Sequence, residues 1–308
     1  MAWPALRRDV ETTLGRGVAT LLDRQTADGR WPDFELQAGT SDAWTTAWVG
    51  WCLAGCGEAA EGARRHAAAA IAGLATPAGW GYNRTTEADG DSTAWAVRFL
   101  ATVSELDRSS AQAALSAYVD TGGGGRTFPD RSTSWGATHP DVTAMIGLAL
   151  LAADAPGELV GRVRRAVLAL REAGGAWHAF WWATDAYATA WSLALLTASG
   201  GVPPDVRDDA ERWLESVSSK PPLSAFEAAF NLLATVWMGR AESPSAVALV
   251  NDLLELESFG WPPSPVLFVP AHDASSPGFR GRPHPDVNGA VTTAICCAAL
   301  RRWRASVA

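Results

Sequence analysis

Lysine is all but missing: Lys220 is the only one, so nearly all of the positive charge is arginine. Basic residues number 25 against 33 acidic ones, a formal charge of −8. No basic run occurs either, which argues against nucleic acid as a partner. Cysteine is sparse, four in 308 residues, too few for a disulfide scaffold. Cys52 and Cys56 stand four apart and Cys296 and Cys297 are adjacent, so neither pair has the spacing of a metal knuckle or a redox site. All four are expected as reduced core thiols of a cytoplasmic protein. The longest near-apolar stretches, 142–153 and 186–198, fall short of the roughly 20 residues a membrane span needs. No apolar segment follows Met1-Ala2-Trp3-Pro4-Ala5-Leu6-Arg7-Arg8, so no secretory signal is expected. Strand-like β-branched alternation is confined to Val266–Val269.

Apolar residues make up 48% of the chain, which excludes disorder and supplies a large core. Tryptophan dominates the aromatics, 16 against 9 Phe and 3 Tyr. Self-similarity organises the rest. Asp42-Ala43-Trp44-Thr45-Thr46-Ala47-Trp48 recurs as Asp185-Ala186-Tyr187-Ala188-Thr189-Ala190-Trp191, and His139-Pro140-Asp141-Val142 as His284-Pro285-Asp286-Val287. The nearly equal offsets predict a duplicated half, about 1–155 and 156–308, within a single domain. A finer period appears in Thr46-Ala47, Thr93-Ala94, Thr143-Ala144 and Thr189-Ala190, with weaker copies at Phe226–Phe230 and Asp286–Ala290. That makes six units.

Each unit has an amphipathic segment, a Gly-Trp or Gly-x-Trp turn (Gly29-Arg30-Trp31, Gly79-Trp80, Gly175-Ala176-Trp177, Gly260-Trp261), and a second, nearly all-apolar helix starting at Asp, Ser or Thr. Polar-sided helices alternating with apolar ones imply an outer ring around an inner ring. The expected fold is all-α: an (α/α)6 toroid of six helical hairpins.

Gln25-Thr26-Ala27-Asp28-Gly29-Arg30-Trp31 resembles the QxxxGxW repeat of squalene-hopene cyclases, and Asp89-Gly90-Asp91-Ser92-Thr93-Ala94 resembles the DxDDTA motif of class II terpene cyclases. The resemblance implies the same α/α barrel and a proton-initiated cyclisation of a linear isoprenoid. Asp91 falls on the motif position of the protonating acid and Asp89 on the first Asp. Ser92 departs from the pattern, replacing the motif's last Asp. The zinc ligands of the related prenyltransferase β-subunits have no counterpart here, so no metal site is expected. A diphosphate substrate would call for Mg²⁺ or an Arg cluster; otherwise no cofactor is implied.

The residues support that chemistry on their own. Asp91, Trp95 and Phe99 are spaced i, i+4, i+8, which predicts a carboxyl on a face with aromatic rings. Poor hydration there favours the protonated acid, and the electron-rich ring faces can stabilise a carbocation without trapping it. Capping explains one Asp before an inner helix, but only this unit has two before its Thr-Ala. Trp44, Trp48, Trp95, Phe99, Trp181, Trp182, Tyr187, Trp191 and Phe230 are the expected substrate-binding rings, with His139, paired with Asp141 across the cavity, beside them. The proline-rich connection 258–285, which includes Pro277, is expected to cover the cavity. That loop, a homodimer or a small substrate would have to complete the enclosure. A non-catalytic toroid that binds an apolar ligand or a partner peptide fits the same pattern.

Overall fold

The computed structural model describes residues 3–220, 222–276 and 278–307; Pro277 and the first two residues of the N-terminal stretch lie outside them. Twelve α-helices are present among the described residues. The outer ones are α1 (Trp3–Asp23), α3 (Glu58–Ala72), α5 (Arg108–Ala117), α7 (Gly157–Ala169), α9 (Pro204–Ser218) and α11 (Pro244–Glu255). The inner ones are α2 (Ala43–Cys52), α4 (Gly90–Thr102), α6 (Pro140–Ala152), α8 (Asp185–Ala198), α10 (Ala225–Trp237) and α12 (Ala290–Ser306). Each inner helix packs on the next and α12 returns to α2, so the inner six form a closed ring. The fold is the (α/α)6 toroid that the repeat implied. Outer helices bury only one stripe, as Val160, Val163 and Val167 do on α7, whereas α2 buries nine of its ten residues.

Two small antiparallel pairs interrupt the helical plan. β1 (Asp33–Leu36) pairs with β2 (Gly39–Ser41) in the first hairpin connection, and β3 (Pro265–Leu267) with β4 (His284–Pro285) in the last. The alternation at Val266–Val269 marked the second pair. No signal marked the first, whose strands of four and three residues are too short to show a period.

The Thr-Ala period and the Gly-Trp turns belong to one device. In four hairpins the turn tryptophan donates its backbone N–H to a threonine hydroxyl on the inner helix: Trp31 to Thr46 (2.9 Å), Trp80 to Thr93 (3.0 Å), Trp177 to Thr189 (3.1 Å) and Trp261 to Thr293 (3.2 Å). The indole Nε1–H of each donates in turn to a carbonyl near the end of the outer helix, of Leu21, Ile71, Val167 and Leu253. One residue thus bolts both helices of its hairpin together. A fifth hairpin keeps the threonine but sets a glycine against it, Gly125 N–H to Thr143 Oγ1 at 2.8 Å. The turn glycines make room: Gly79 has φ +110° and a Cβ there would lie 2.2 Å from Thr93 Oγ1, while one on Gly175, φ +89°, would lie 2.4 Å from the Asp209 carbonyl. Gln25 extends the first bolt sideways, donating to the Gly29 and Ala63 carbonyls (2.9 Å each) and so tying the turn to α3.

The last copy lies further along than its sequence suggested. Asp286–Gly289 precede the helix, which starts at Ala290 after a left-handed Gly289, and Thr293-Ala294 is the functional equivalent. Nor do all the aspartates before the other inner helices act as caps. Asp42 makes no cap bond and instead takes Arg30 Nη1 (3.0 Å) and Arg84 Nε (2.8 Å). The caps that bond are Asp89 on α4, Thr184 on α8 and Ser224 on α10. Cys52, Cys296 and Cys297 are buried free thiols and Cys56 is half-buried.

Thr189→Val keeps the side-chain shape but leaves the buried Trp177 amide without an acceptor. The expected cost is about 1–3 kcal/mol, read as a lower urea midpoint at unchanged m-value; a midpoint equal to the wild type would show that the bolt carries no stability.

Candidate active site

The helix α4 starts with two carboxyls in different situations. Asp89 is the N-cap: its Oδ1 accepts from the Ser92 amide and its Oδ2 from the Ser92 hydroxyl, both at 2.7 Å. Ser92, the residue that departs from the cyclase-like motif, therefore serves to hold Asp89. Asp91, one residue into the helix, caps nothing. Its Oδ2 accepts a hydrogen bond from Trp44 Nε1 of the neighbouring α2 at 3.1 Å, its single hydrogen bond among the described residues. The surplus carboxyl of this unit is thus the one left available.

Asp91 and Trp44 lie at the bottom of a cavity of about 520 Å³. Tyr82, Phe128, Trp135, Trp181, Leu267 and Phe268 are among its walls, and the exposed Gln37, Ala38 and Glu87 form its rim. Trp181 is fixed by its Nε1 donating to Thr127 Oγ1 (2.8 Å) and by edge contact with Trp135, 5.1 Å between ring centres. The long connection closes one side. Phe268 N–H donates to the Trp181 carbonyl (2.7 Å), Ala183 N–H to that of Val266 (2.8 Å), and Trp135 Nε1 to that of Pro270 (2.7 Å).

Burial in this apolar setting pushes the Asp91 carboxyl well above the usual carboxylate range, and the neighbouring charges of Asp89 and then Asp141 push the same way. The Trp44 bond and the Arg98 charge only partly oppose this. Asp89 is also pushed up by burial, to about 6, with its Ser92 bonds holding it down. The two environments separate the pair: burial and like charge push Asp91 toward its protonated form, while the Ser92 bonds favour the ionised form of Asp89. An acid on an aromatic-walled cavity can deliver that proton to an apolar ligand.

The other expected binding residues divide. Trp44 and Trp181 line the cavity; Trp48, Trp95, Trp182, Tyr187, Trp191 and Phe230 do not. With Phe226 they form a solid aromatic plug across the barrel axis beneath it, each at most 1% exposed. Trp48 touches rings from the opposite side, Trp182 at 5.4 Å and Tyr187 at 6.0 Å between centres, and packs on Trp95 at 4.3 Å. The rings are large enough to meet in the middle, so they fill the space they were expected to line. Phe99 faces elsewhere: eight residues turn a helix about 80° past two full turns, which carries its ring into the seam against Gly50 of α2. The residue that continues the Asp91 face is Arg98. Its guanidinium is buried between the Trp51, Trp95 and Trp191 rings, at 4.4, 5.0 and 4.4 Å, with Nη1 on the Met145 sulfur at 2.9 Å. Burial lowers its pKa to about 10.

His139 also lies off the cavity wall. Its ring stacks on Phe180 at 3.6 Å and its Nε2 bonds the Ser134 carbonyl at 2.8 Å. Asp141 does not reach across the cavity either; Oδ2 accepts the Phe180 and Trp181 amides (3.0 Å each), and Oδ1 is buried with no partner. Burial lowers the His139 pKa and raises that of Asp141. The pair shapes the loop that carries Trp181. Asp286 likewise ties its own loop, accepting from the Ser264 and Thr292 amides at 2.7 Å.

Tyr82, Thr127, Phe128, Trp135, Leu267 and Val269 were not singled out as binding residues, and Phe268 was noted only as part of the long connection. They sit on connections that carry no repeat signal. Among the described residues, no group of three His, Cys, Asp or Glu is placed to hold a metal, and no helix is long and apolar enough to cross a membrane.

In sequence, no family model and no curated protein matches the chain. Solved structures match over nearly its whole length. The type II terpene cyclase MstE from Scytonema, in its apo form, is 22% identical with a TM-score of 0.84, covering 97% of this chain and 99% of that one. A variant of MstE in complex with geranylgeranyl dihydroxybenzoate, its substrate, matches equally well, 22% identical with a TM-score of 0.84 over 98% of this chain and 99% of that one. The ent-copalyl diphosphate synthase from Streptomyces platensis is 19% identical with a TM-score of 0.62, over 84% of this chain and 50% of that one. An unsaturated glucuronyl hydrolase specific for heparin is 13% identical with a TM-score of 0.63, over 96% and 97%. The chain therefore has the α/α-toroid fold of the type II terpene cyclases.

Proposed function

We propose that the protein is a class II terpene cyclase-like enzyme that starts cyclisation of a linear isoprenoid by protonating it from Asp91. The observation that carries this is a non-capping carboxyl, held by an indole N–H at the bottom of an apolar, aromatic-walled cavity and pushed toward its protonated form by burial. The bound substrates of a structural neighbour, MstE, are consistent with a chain of this class. The Asp91 O–H proton adds to a terminal double bond and leaves a tertiary cation. Successive double bonds supply the electron pairs for new C–C bonds, with the Trp44, Tyr82 and Trp181 faces stabilising the moving charge. Loss of a proton from the last cation, or capture of water, ends the cascade. Asp91 is then reprotonated from solvent, so the proton balance closes and no oxidant or reductant is needed.

Asp91→Asn keeps the size and the Trp44 contact but has no acidic proton. Incubated with farnesol or geranylgeraniol and analysed by gas chromatography with mass detection, the wild type is expected to yield cyclic products and the variant at least about 10²-fold less. Cyclic product at wild-type rate from the variant would remove Asp91 from the role of acid. Binding of these alcohols by the wild type without any conversion would favour a non-catalytic toroid.

The pH dependence follows from the same carboxyl. Activity requires protonated Asp91, so kcat falls as pH rises through its raised pKa. Stability moves with it: between the pKa of an unfolded Asp and the raised folded value, the native state binds the extra proton, so stability decreases as pH rises. Asp91→Asn removes that slope. Its melting temperature is expected to equal or exceed that of the wild type, with a gap that widens as pH rises above the ordinary carboxylate range. Thermal melts across this range test the expectation, and a gap that shrinks with pH would contradict it.

A further inference from the structure

The charges around the cavity restrict what can enter it. Its lining holds three carboxyl groups, Glu87 at the rim and Asp89 and Asp91 below, and no Arg, Lys or His. The arginines close to it in the fold are engaged elsewhere. Arg84 turns away to Asp42, with Nε at 2.8 Å and Nη2 at 2.6 Å. Arg126 Nη1 bonds the Pro129 carbonyl at 3.2 Å. Arg98 lies under the three indoles. Arg280 packs over the outer side of Phe268 at 4.4 Å, with Nη2 on the Ala179 and Trp182 carbonyls at 2.7 and 2.9 Å. The cavity wall thus offers a phosphate no cation, and the exposed Glu87 adds a negative charge at the rim.

Resting on the cyclase reading above, we propose that the substrate is an isoprenoid with an uncharged, hydrogen-bonding head, an alcohol or its ester, and that Glu87 excludes diphosphates. The head sits at the rim beside Gln37, Thr86 and Glu87, which offer amide and hydroxyl donors and carboxylate and carbonyl acceptors. The hydrocarbon tail points down toward Asp91, which places the terminal double bond next to the acid.

Quenching of tryptophan fluorescence reports binding, since Trp44, Trp135 and Trp181 face the cavity. Asp91→Asn prevents turnover during the titration. Farnesol is expected to bind it at least roughly 10²-fold more tightly than farnesyl diphosphate, with or without Mg²⁺, and Glu87→Arg to narrow that ratio by about tenfold or more. Diphosphate binding within about threefold of the alcohol overturns the proposal. An unchanged ratio in Glu87→Arg overturns the part assigned to Glu87. The two readings fail differently: preference for the alcohol in a wild type that converts nothing defeats the cyclase reading alone, whereas cyclisation of the diphosphate by the wild type defeats the substrate class alone. If neither ligand quenches, both fall.

Discussion

A single hydrogen bond, from the amide of a turn residue to a threonine hydroxyl one turn into the inner helix, sets the register of the barrel. It occurs in five hairpins, at Thr46, Thr93, Thr143, Thr189 and Thr293. Because these five inner helices are pinned at the same residue, positions counted from that threonine fall at the same height on them. Two residues before it stand Trp44, Asp91, Asp141, Tyr187 and Val291; two after it stand Trp48, Trp95, Met145, Trp191 and Ile295. The upper set holds the only two carboxyls among these positions, on adjacent helices. The lower set is apolar throughout and fully buried. A chain of local bolts thus becomes a layered interior, with acid above and hydrocarbon below.

The layering explains which parts of the molecule the sequence could disclose. Helical hairpins, their number and the ring were legible, because the threonine, the glycine and the tryptophan of the bolt are short-range signals repeated along the chain. The distinction between Asp89 and Asp91 was legible as a surplus, though only the Ser92 contacts show which of the two caps. What a period cannot reveal is the size of the hole in the middle. Six rings of the expected wall turned out to fill the axis, since whether large side chains line a space or meet across it depends on the diameter of the ring. The cavity wall itself comes from connections far apart in sequence: Phe128 and Trp135 stand against Phe268 and Val269 only because ring closure brings those loops together.

The same scaffold carries unrelated chemistry. A glucuronyl hydrolase also matches the fold, with a TM-score of 0.63 over 96% of the chain, so the toroid decides where a site can be built and not what it does. The specific content lies in a few side chains at the ends of two inner helices. An apolar wall and a neighbouring carboxyl engaged by serine push Asp91 toward its protonated form, against an indole N–H that only partly opposes them. Their combined effect is electrostatic, and it depends on the absence of water more than on any single contact.

The aromatic plug beneath the cavity makes it a blind pocket. The depth that can be reached past Gln37 and Glu87 is set by Trp44, whose ring is backed by Trp48 and Trp182, each 5.7 Å away between centres. The barrel thus ends in a fixed stop. Trimming Trp48 or Trp182 would lower that stop without touching Asp91, so the depth of the pocket and the setting of its carboxyl are free to change independently.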